Sequence, residues 1–180
     1  TIRQQLQILA LEGKLIPAAA DPVQISRHEE VRQNFDSSAL VKTEDLVPGD
    51  QFTIVSVSPD VSLDELRAAT TADPPDEMFL ELPDDVPGVV GELAAEVTAG
   101  AATDADKMLA LQNWFQGFEY STEVQAGHGN NAIETFLQIR KGYCEQFAGT
   151  FAVMARTLGI PSRVAVGFTS GRLRYDGWYS

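Results

Sequence analysis

The strongest constraint on how this chain folds lies between Lys141 and Val164. That stretch reads Lys-Gly-Tyr-Cys-Glu-Gln-Phe-Ala, then an apolar run, then Leu158-Gly159-Ile160-Pro161-Ser162-Arg163-Val164. Phe147, Phe151, Met154 and Leu158 recur at i, i+4, i+7 and i+11, and Ala148, Ala152 and Ala155 keep the neighbouring rows small. The spacing predicts a helix buried along one stripe. Gly159 stops it and Pro161 follows, as expected past a helix C-terminus. Cys144, the only cysteine among the 180 residues, then falls in the first turn. Backbone N–H groups there lack intrahelical acceptors, and the helix dipole favours an anion. A cysteine nucleophile works as the thiolate, so the position suits one. The blander reading is a small apolar residue filling space, the usual use of a free cysteine. Position alone leaves both open, and the local spacing does not match the papain pattern.

Gly142-Tyr143-Cys144-Glu145-Gln146-Phe147-Ala148, followed by Ala155-Arg156-Thr157-Leu158-Gly159-Ile160-Pro161-Ser162-Arg163-Val164 and Val166-Gly167-Phe168, closely resembles the transglutaminase-like superfamily. Within it the likeness is to bacterial membrane-anchored proteins of the TgpA type. It extends upstream through Asp104-Ala105-Asp106-Lys107, Trp114-Phe115 and Tyr120-Ser121, covering residues 83–180 well and the region before them loosely. The resemblance implies that Cys144 is the nucleophile of a Cys-His-Asp triad. It also implies an extracytoplasmic domain of a membrane protein, with a papain-like cysteine helix packed on an antiparallel sheet that carries the other two triad members.

The chain departs from that pattern after Phe168. In the family the histidine and aspartate follow the cysteine, whereas both histidines here, His28 and His128, precede it. His128 sits in a Gly-His-Gly-Asn-Asn stretch that reads as a polar loop, and His28 in a charged segment that reads as solvated surface. Asp176 lies too near the end of the sequence to be given the orienting role. A nucleophile needs a base within reach and the base a partner to orient it. These 180 residues read as the nucleophile-bearing part of such an enzyme, cut before the constellation is complete.

Composition agrees with a globular chain, 44% hydrophobic and 22% charged. The charge is uneven: five basic against nine acidic side chains in residues 1–60, two against fourteen in 61–130, and six against three in 131–180. The acidic surplus argues against a nucleic-acid partner, whose phosphates require a basic face. Arg140 and Lys141, just before Cys144, are candidate cations for a thiolate. One cysteine and two distant histidines make zinc a poor expectation, and no cofactor or metal site is expected. No apolar run approaches the length of a membrane span. The sequence does not begin with methionine and ends inside an expected strand, so both ends read as the boundaries of a piece.

The expected fold is α+β, with a small β-rich region over 1–82 and a transglutaminase-like core over 83–180. Ile2, Leu6 and Leu9 predict a short helix or strand stopping at Gly13. Phe52, Ile54, Val55 and Val57, set against Thr53, Ser56 and Ser58, predict a half-buried strand. Ser62 with Glu65 three residues later reads as a capping box for Leu63–Ala68. Helices are expected over Pro87–Thr98, over Thr103–Gly117 with Met108, Leu111, Trp114 and Phe115 inward, and over Ala132–Ile139 with Asn131 as cap. Trp114 at helical spacing reads as a core aromatic rather than a ligand platform. Arg163–Phe168 predicts a strand that turns near Ser170-Gly171 into a partner starting at Gly177-Trp178-Tyr179.

The expected function is acyl transfer through a thioester at Cys144, on a glutamine side chain or peptide amide of a protein substrate. The backbone N–H of Cys144 is the candidate oxyanion donor. The alternative is a non-catalytic extracytoplasmic module that binds a peptide or cell-wall partner on the same scaffold. An exposed sheet edge offers a route to oligomers in either case.

Overall fold

A computed structural model describes residues 1–34, 37–69, 77–124, 130–169 and 171–179. Contacts divide the chain into two units, Thr1–Asp60 with Val166–Ser180, and Val61–Ala165.

The first unit is built from β1 (Ile2–Gln7), β2 (Leu15–Ile16), β3 (Pro22–Ile25), β4 (Val31–Gln33), β5 (Leu40–Lys42) and β6 (Gln51–Ser56). They form two antiparallel three-stranded sheets, ordered β1-β6-β3 and β2-β5-β4. Ile8, Ile16, Leu40, Leu46, Phe52 and Ile54 make the core. Along β6 the inward set is Phe52, Ile54 and Ser56, in strict period two. Val55 and Val57, grouped with Phe52 and Ile54 from sequence, fall out of that phase, and Ser56 is buried instead. Its hydroxyl donates to the Ala19 carbonyl at 3.0 Å, which satisfies the one polar group on that face. Ile2–Leu6 is strand rather than helix. Strands β2 to β5 are too short and too polar to leave a periodic signal.

A buried charge anchors this unit. The turn at Val47-Pro48-Gly49-Asp50 has Gly49 at φ +98°, and the Asp50 N–H donates to the Val47 carbonyl at 3.1 Å. Proline followed by a positive-φ glycine is what a type II turn requires. The turn delivers the Asp50 carboxylate to the Lys42 ammonium at 2.9 Å, the Val47 N–H at 3.1 Å and the Arg27 guanidinium at 3.2 Å. These contacts, Lys42 foremost, hold the Asp50 carboxyl below its usual range.

The second unit contains α1 (Leu63–Ala68), α2 (Gly88–Val97), α3 (Asp104–Phe115), β7 (Glu119–Tyr120), α4 (Asn130–Ile139), β8 (Lys141–Gly142) and α5 (Cys144–Thr157). The expected capping box forms at α1: the Glu65 carboxylate accepts from the Ser62 N–H at 2.8 Å, and the Ser62 hydroxyl accepts from the Glu65 N–H at 3.3 Å. Thr103 caps α3 by accepting from the Asp106 N–H at 3.1 Å. The core is Val90 and Ala94 of α2, Leu111 and Phe115 of α3, Phe118, Phe136 and Leu137, and Met154 of α5. Trp114 is a core aromatic, edge-on to Phe115 and Phe118 at 5.0 and 4.7 Å. Helix α5 ends in a Schellman motif: the Gly159 N–H donates to the Arg156 carbonyl and the Ile160 N–H to the Ala155 carbonyl, both at 3.0 Å. Gly159 sits at φ +75°, which the motif demands.

One expectation fails beyond this helix. Residues 161–169 form no strand, and Val166 and Phe168 are 97% and 72% exposed. β-Branched residues favour extended backbone, but a strand exists only against a ladder partner, and none runs beside 161–169 among the described residues. Ser170 of the expected Ser170-Gly171 turn lies outside the described residues, and a chain reversal is seen further on. Leu173 bridges Tyr179, the Gly177 N–H donates to the Arg174 carbonyl at 3.1 Å, and Gly177 takes φ +84°. The chain therefore reverses at Tyr175-Asp176-Gly177, where sequence placed the start of a strand. The antiparallel sheets lie in the first unit, while the ladder that leads into α5 is the parallel pair β7–β8.

The Asp50 cluster sets an acid limit on the first unit. A carboxyl lowered by folding adds stability that is present above its unfolded pKa, about 3.9. That stability is lost as pH falls through the lower folded value. Asp50→Asn is expected to lower the thermal midpoint at neutral pH, and the gap from the parent chain should close below about pH 4. Melts across that range check it, with exposed Asp60→Asn as the control.

Candidate active site

Cys144 is the first residue of α5 and is exposed. What places it is the backbone immediately before. Helix α4 ends on Arg140, which takes φ +53° and donates its N–H to the Phe136 carbonyl at 2.9 Å. A left-handed arginine is uncommon, and its side chain is held as well as its backbone. The guanidinium lies over the rings of Trp114 and Phe118, 5.5 Å from each centroid. The chain then runs through β8, where the Glu119 N–H donates to the Arg140 carbonyl at 2.8 Å and the Ser121 N–H to the Gly142 carbonyl at 2.6 Å.

Gly142 is buried where nothing larger fits. A Cβ there would stand 2.5 Å from Gln146 Oε1 and 2.8 and 2.9 Å from two ring carbons of Phe136. Phe136 is a core residue, 1% exposed, and cannot yield. Gln146 is held too, because its Oε1 accepts from the Tyr143 N–H at 3.0 Å. This reaching back from the third helical position is half of a capping box, with Gln146 closing the entrance of α5. Tyr143 donates its hydroxyl to Glu145 at 3.3 Å, and its phenol is pushed up by burial first and by the Glu145 charge second. As the first helical residue, Cys144 has a backbone N–H with no intrahelical acceptor, the geometry a developing oxyanion needs.

A groove of about 670 Å³ opens beside the sulfur. Helix α1 contributes Leu63 and Leu66, α3 contributes Met108, Leu109 and Phe115, and α5 contributes Cys144, Phe147, Ala148 and Phe151. Gln112 is the one polar side chain in the lining. Helix α1 buries none of its own residues, yet an ion pair ties it to α3: Arg67 Nε meets Asp106 Oδ1 at 2.8 Å. Arg67 first, and the Thr103 hydroxyl next, hold the Asp106 carboxyl below its usual range.

Of the residues singled out from sequence, Cys144 lies at the helix mouth as expected. The two cations before it are engaged elsewhere: Arg140 on Trp114 and Phe118, and Lys141 with Glu119 at 2.9 Å. Nearness in sequence misled because packing takes both side chains away, Arg140 onto the two rings and Lys141 across the β7–β8 ladder. His128 lies outside the described residues, as does the side chain of His28. Asp176 is a local turn residue, paired with Arg174 at 3.1 Å and accepting from the Trp178 N–H at 3.2 Å. Sequence reading puts Phe136 on the inward face of its helix and leaves Gln146 as a cap or a solvent-facing residue, but misses the α1 wall. The available signal was Leu63 and Leu66 at i, i+3 on an otherwise polar helix. Among the described residues no three His, Cys, Asp or Glu side chains gather as metal ligands.

Comparison with known proteins gives a consistent set of relatives. The family model of the transglutaminase-like superfamily matches residues 91–180. Bacillus subtilis (strain 168) YebA is 31% identical over 136 residues, 70% of this chain and 18% of that protein. A Pseudomonas aeruginosa protein-glutamine gamma-glutamyltransferase is 30% identical over 89 residues, 48% of this chain and 13% of that protein. The chain thus spans less than a fifth of either curated relative. Among solved structures, the periplasmic domain of TgpA from Pseudomonas aeruginosa, crystallised bound to ethylmercury, superposes with a TM-score of 0.71. It is 24% identical, and the superposition covers 97% of this chain and 61% of that one. Among the described residues no helix is long and apolar enough to cross a membrane.

Two substitutions test how Cys144 is placed. Gly142→Ala forces a methyl group against Phe136 and is expected to cost about 1–3 kcal/mol, the usual range for overpacking. In the folded fraction it should also change the alkylation rate of Cys144. Arg67→Ala should leave the core intact while raising amide exchange in α1. Denaturant melts and hydrogen exchange, respectively, check these outcomes.

Proposed function

Because this chain belongs to the transglutaminase-like superfamily, we propose that Cys144 is the nucleophile of a protein-directed acyl transfer. The observation that carries this reading is the exposed sulfur on the first turn of α5, bordering a groove. A structural cysteine has no need of such a position. In the reaction, the thiolate adds to the carbonyl carbon of a glutamine side chain or peptide amide. The Cys144 N–H faces the developing oxyanion. The C–N bond then breaks, the nitrogen leaves with a proton, and a thioester remains. An amine resolves it to a new amide, or water to an acid, and the sulfur departs as thiolate.

Proton transfer to the leaving nitrogen requires an acid–base group, and residues 145–180 contain no histidine. In this reading the imidazole and its orienting carboxylate belong to sequence not included in these 180 residues. The likeness to the periplasmic domain of TgpA supports an extracytoplasmic setting, and the glutamyltransferase relative supports a protein as substrate. Anchoring of the whole protein in a membrane belongs to the same proposal.

The test separates nucleophile from scaffold. Iodoacetamide at neutral pH is expected to alkylate Cys144 faster than free cysteine, and ethylmercury to titrate one equivalent that Cys144→Ser abolishes. The 180-residue chain is expected to give no turnover on glutamine–amine pairs, and a longer chain that includes a following histidine to give it. Alkylation at or below the rate of free cysteine, together with no turnover by the longer chain, would overturn the proposal in favour of a binding module.

A further inference from the structure

Two sheet edges of the first unit border one cavity with no ladder between them. β3 ends one three-stranded sheet, β4 ends the other, and both sheets contribute to one core. The cavity, about 390 Å³, is lined by Pro22–Ile25 on one side and by Val31, Gln33 and Leu40 on the other. The Gln33 side chain spans it, Nε2 donating to the Pro22 carbonyl at 3.1 Å.

Ladder phase decides which backbone groups meet the cavity. Opposed residues of an antiparallel pair alternate between exchanging both hydrogen bonds and exchanging none. The Asn34 N–H donates to the Ala39 carbonyl and the Thr43 N–H to the Glu30 carbonyl, so in the β4–β5 register it is Arg32 that bonds to β5. Val31 and Gln33 therefore turn their N–H and C=O groups to the free edge. On β3 the Ser26 N–H donates to the Thr53 carbonyl, so Ile25 turns its own pair outward as well. An unpaired edge of this kind is a template for another strand. Ile25, Val31 and Leu40 give the slot an apolar floor continuous with the core. Arg32 stands on the opposite, exposed face of β4 and has no ion-pair partner among the described residues.

We propose that this slot binds an extended peptide by strand addition, and that the peptide carries an acidic residue between two apolar ones. The added strand runs antiparallel to β4. Its apolar residues lie opposite Val31 and Gln33, point to the floor and exchange hydrogen bonds with that edge. The residue between them turns its backbone towards β3 and its side chain to the outer face beside Arg32, where a carboxylate completes a cross-strand pair. Gln33 releases Pro22 as the strand enters. None of this rests on the chemistry of Cys144.

The probe is end-blocked, fluorescein-labelled Thr-Val-Glu-Val-Thr, titrated with the 180-residue chain and followed by anisotropy. Saturable binding is expected, with slowed hydrogen exchange at the Val31 and Gln33 amides. Methylating the amide nitrogens of both valines removes the donors that face β4, and is expected to abolish binding while the protein stays untouched. Replacing the glutamate by lysine is expected to weaken binding about fivefold, the worth of a cross-strand charge pair, and Arg32→Glu to reverse that preference. Gln33→Pro removes an edge N–H that β5 does not use, so binding should vanish with little change in thermal midpoint.

Equal binding of the methylated peptide, or no saturable binding at millimolar concentration, overturns strand addition, and this decides the question even where Gln33→Pro fails to fold. Indifference to the glutamate-to-lysine exchange overturns the acidic partner. A dimer in sedimentation that Gln33→Pro dissociates assigns the slot to a second copy. Protection of the same two amides in a longer chain without peptide assigns it to the protein's own sequence. Either result overturns the proposal.

Discussion

The arrangement around Cys144 depends on one close approach, the face of Phe136 against a residue that has no side chain. Gly142 lets the backbone run along that ring, and Gln146 closes the gap from the other side. Phe136 belongs to the aromatic cluster with Phe115, Phe118 and Phe147, at centroid separations of 5.0 to 6.1 Å. The cluster is the core of the second unit, so the start of α5 is referenced to the most rigid part of the fold. Interiors packed this tightly transmit a displacement rather than absorb it. The position of the sulfur is in this sense a packing property of residues some distance from it in sequence.

The same helix is fixed at its other end by different means. Arg156 donates Nη2 to the Ser162 carbonyl at 2.7 Å and Nη1 to the Glu81 carbonyl at 2.6 Å, and the Ser162 hydroxyl donates to the Ala152 carbonyl at 2.9 Å. The Gly-Ile-Pro turn thus locks α5 to the loop before α2, with Ile160 buried behind the Schellman motif. With the helix held at both ends, Cys144 lies at the tip of a rigid rod and borders a groove that one ion pair helps to shape. A nucleophile needs this combination of a fixed backbone and an accessible sulfur.

Much of this was legible from residue order because the signals are local. The stripe of α5, the Gly159 stop, the Ser62–Glu65 box and the helix opening at Thr103-Asp104 each lie within a few residues, and each formed. The start of α4 came two residues before the expected Ala132, the usual uncertainty at helix ends. What failed was non-local. Arg163–Phe168 has the composition of a strand, but a strand needs a partner that composition does not name. Arg140 and Lys141 looked like cations for the thiol, and long-range packing gave them to Trp114, Phe118 and Glu119. The groove was invisible because α1 meets α3 through Arg67 and Asp106, thirty-nine residues apart. Ser56 was assigned to the wrong face because its buried hydroxyl depends on a carbonyl far upstream at Ala19.

The central claim is that the sulfur of Cys144 accepts acyl groups while the chain is folded. It is tested most directly by incubating the folded chain with the p-nitrophenyl ester of N-acetyl-leucine and mapping the adduct by mass spectrometry. The account predicts one acyl group on Cys144, removed by hydroxylamine as a thioester must be, and formed faster on the native chain than after unfolding in urea. Acylation confined to lysines, or a Cys144 adduct that forms only once the chain is unfolded, would contradict it.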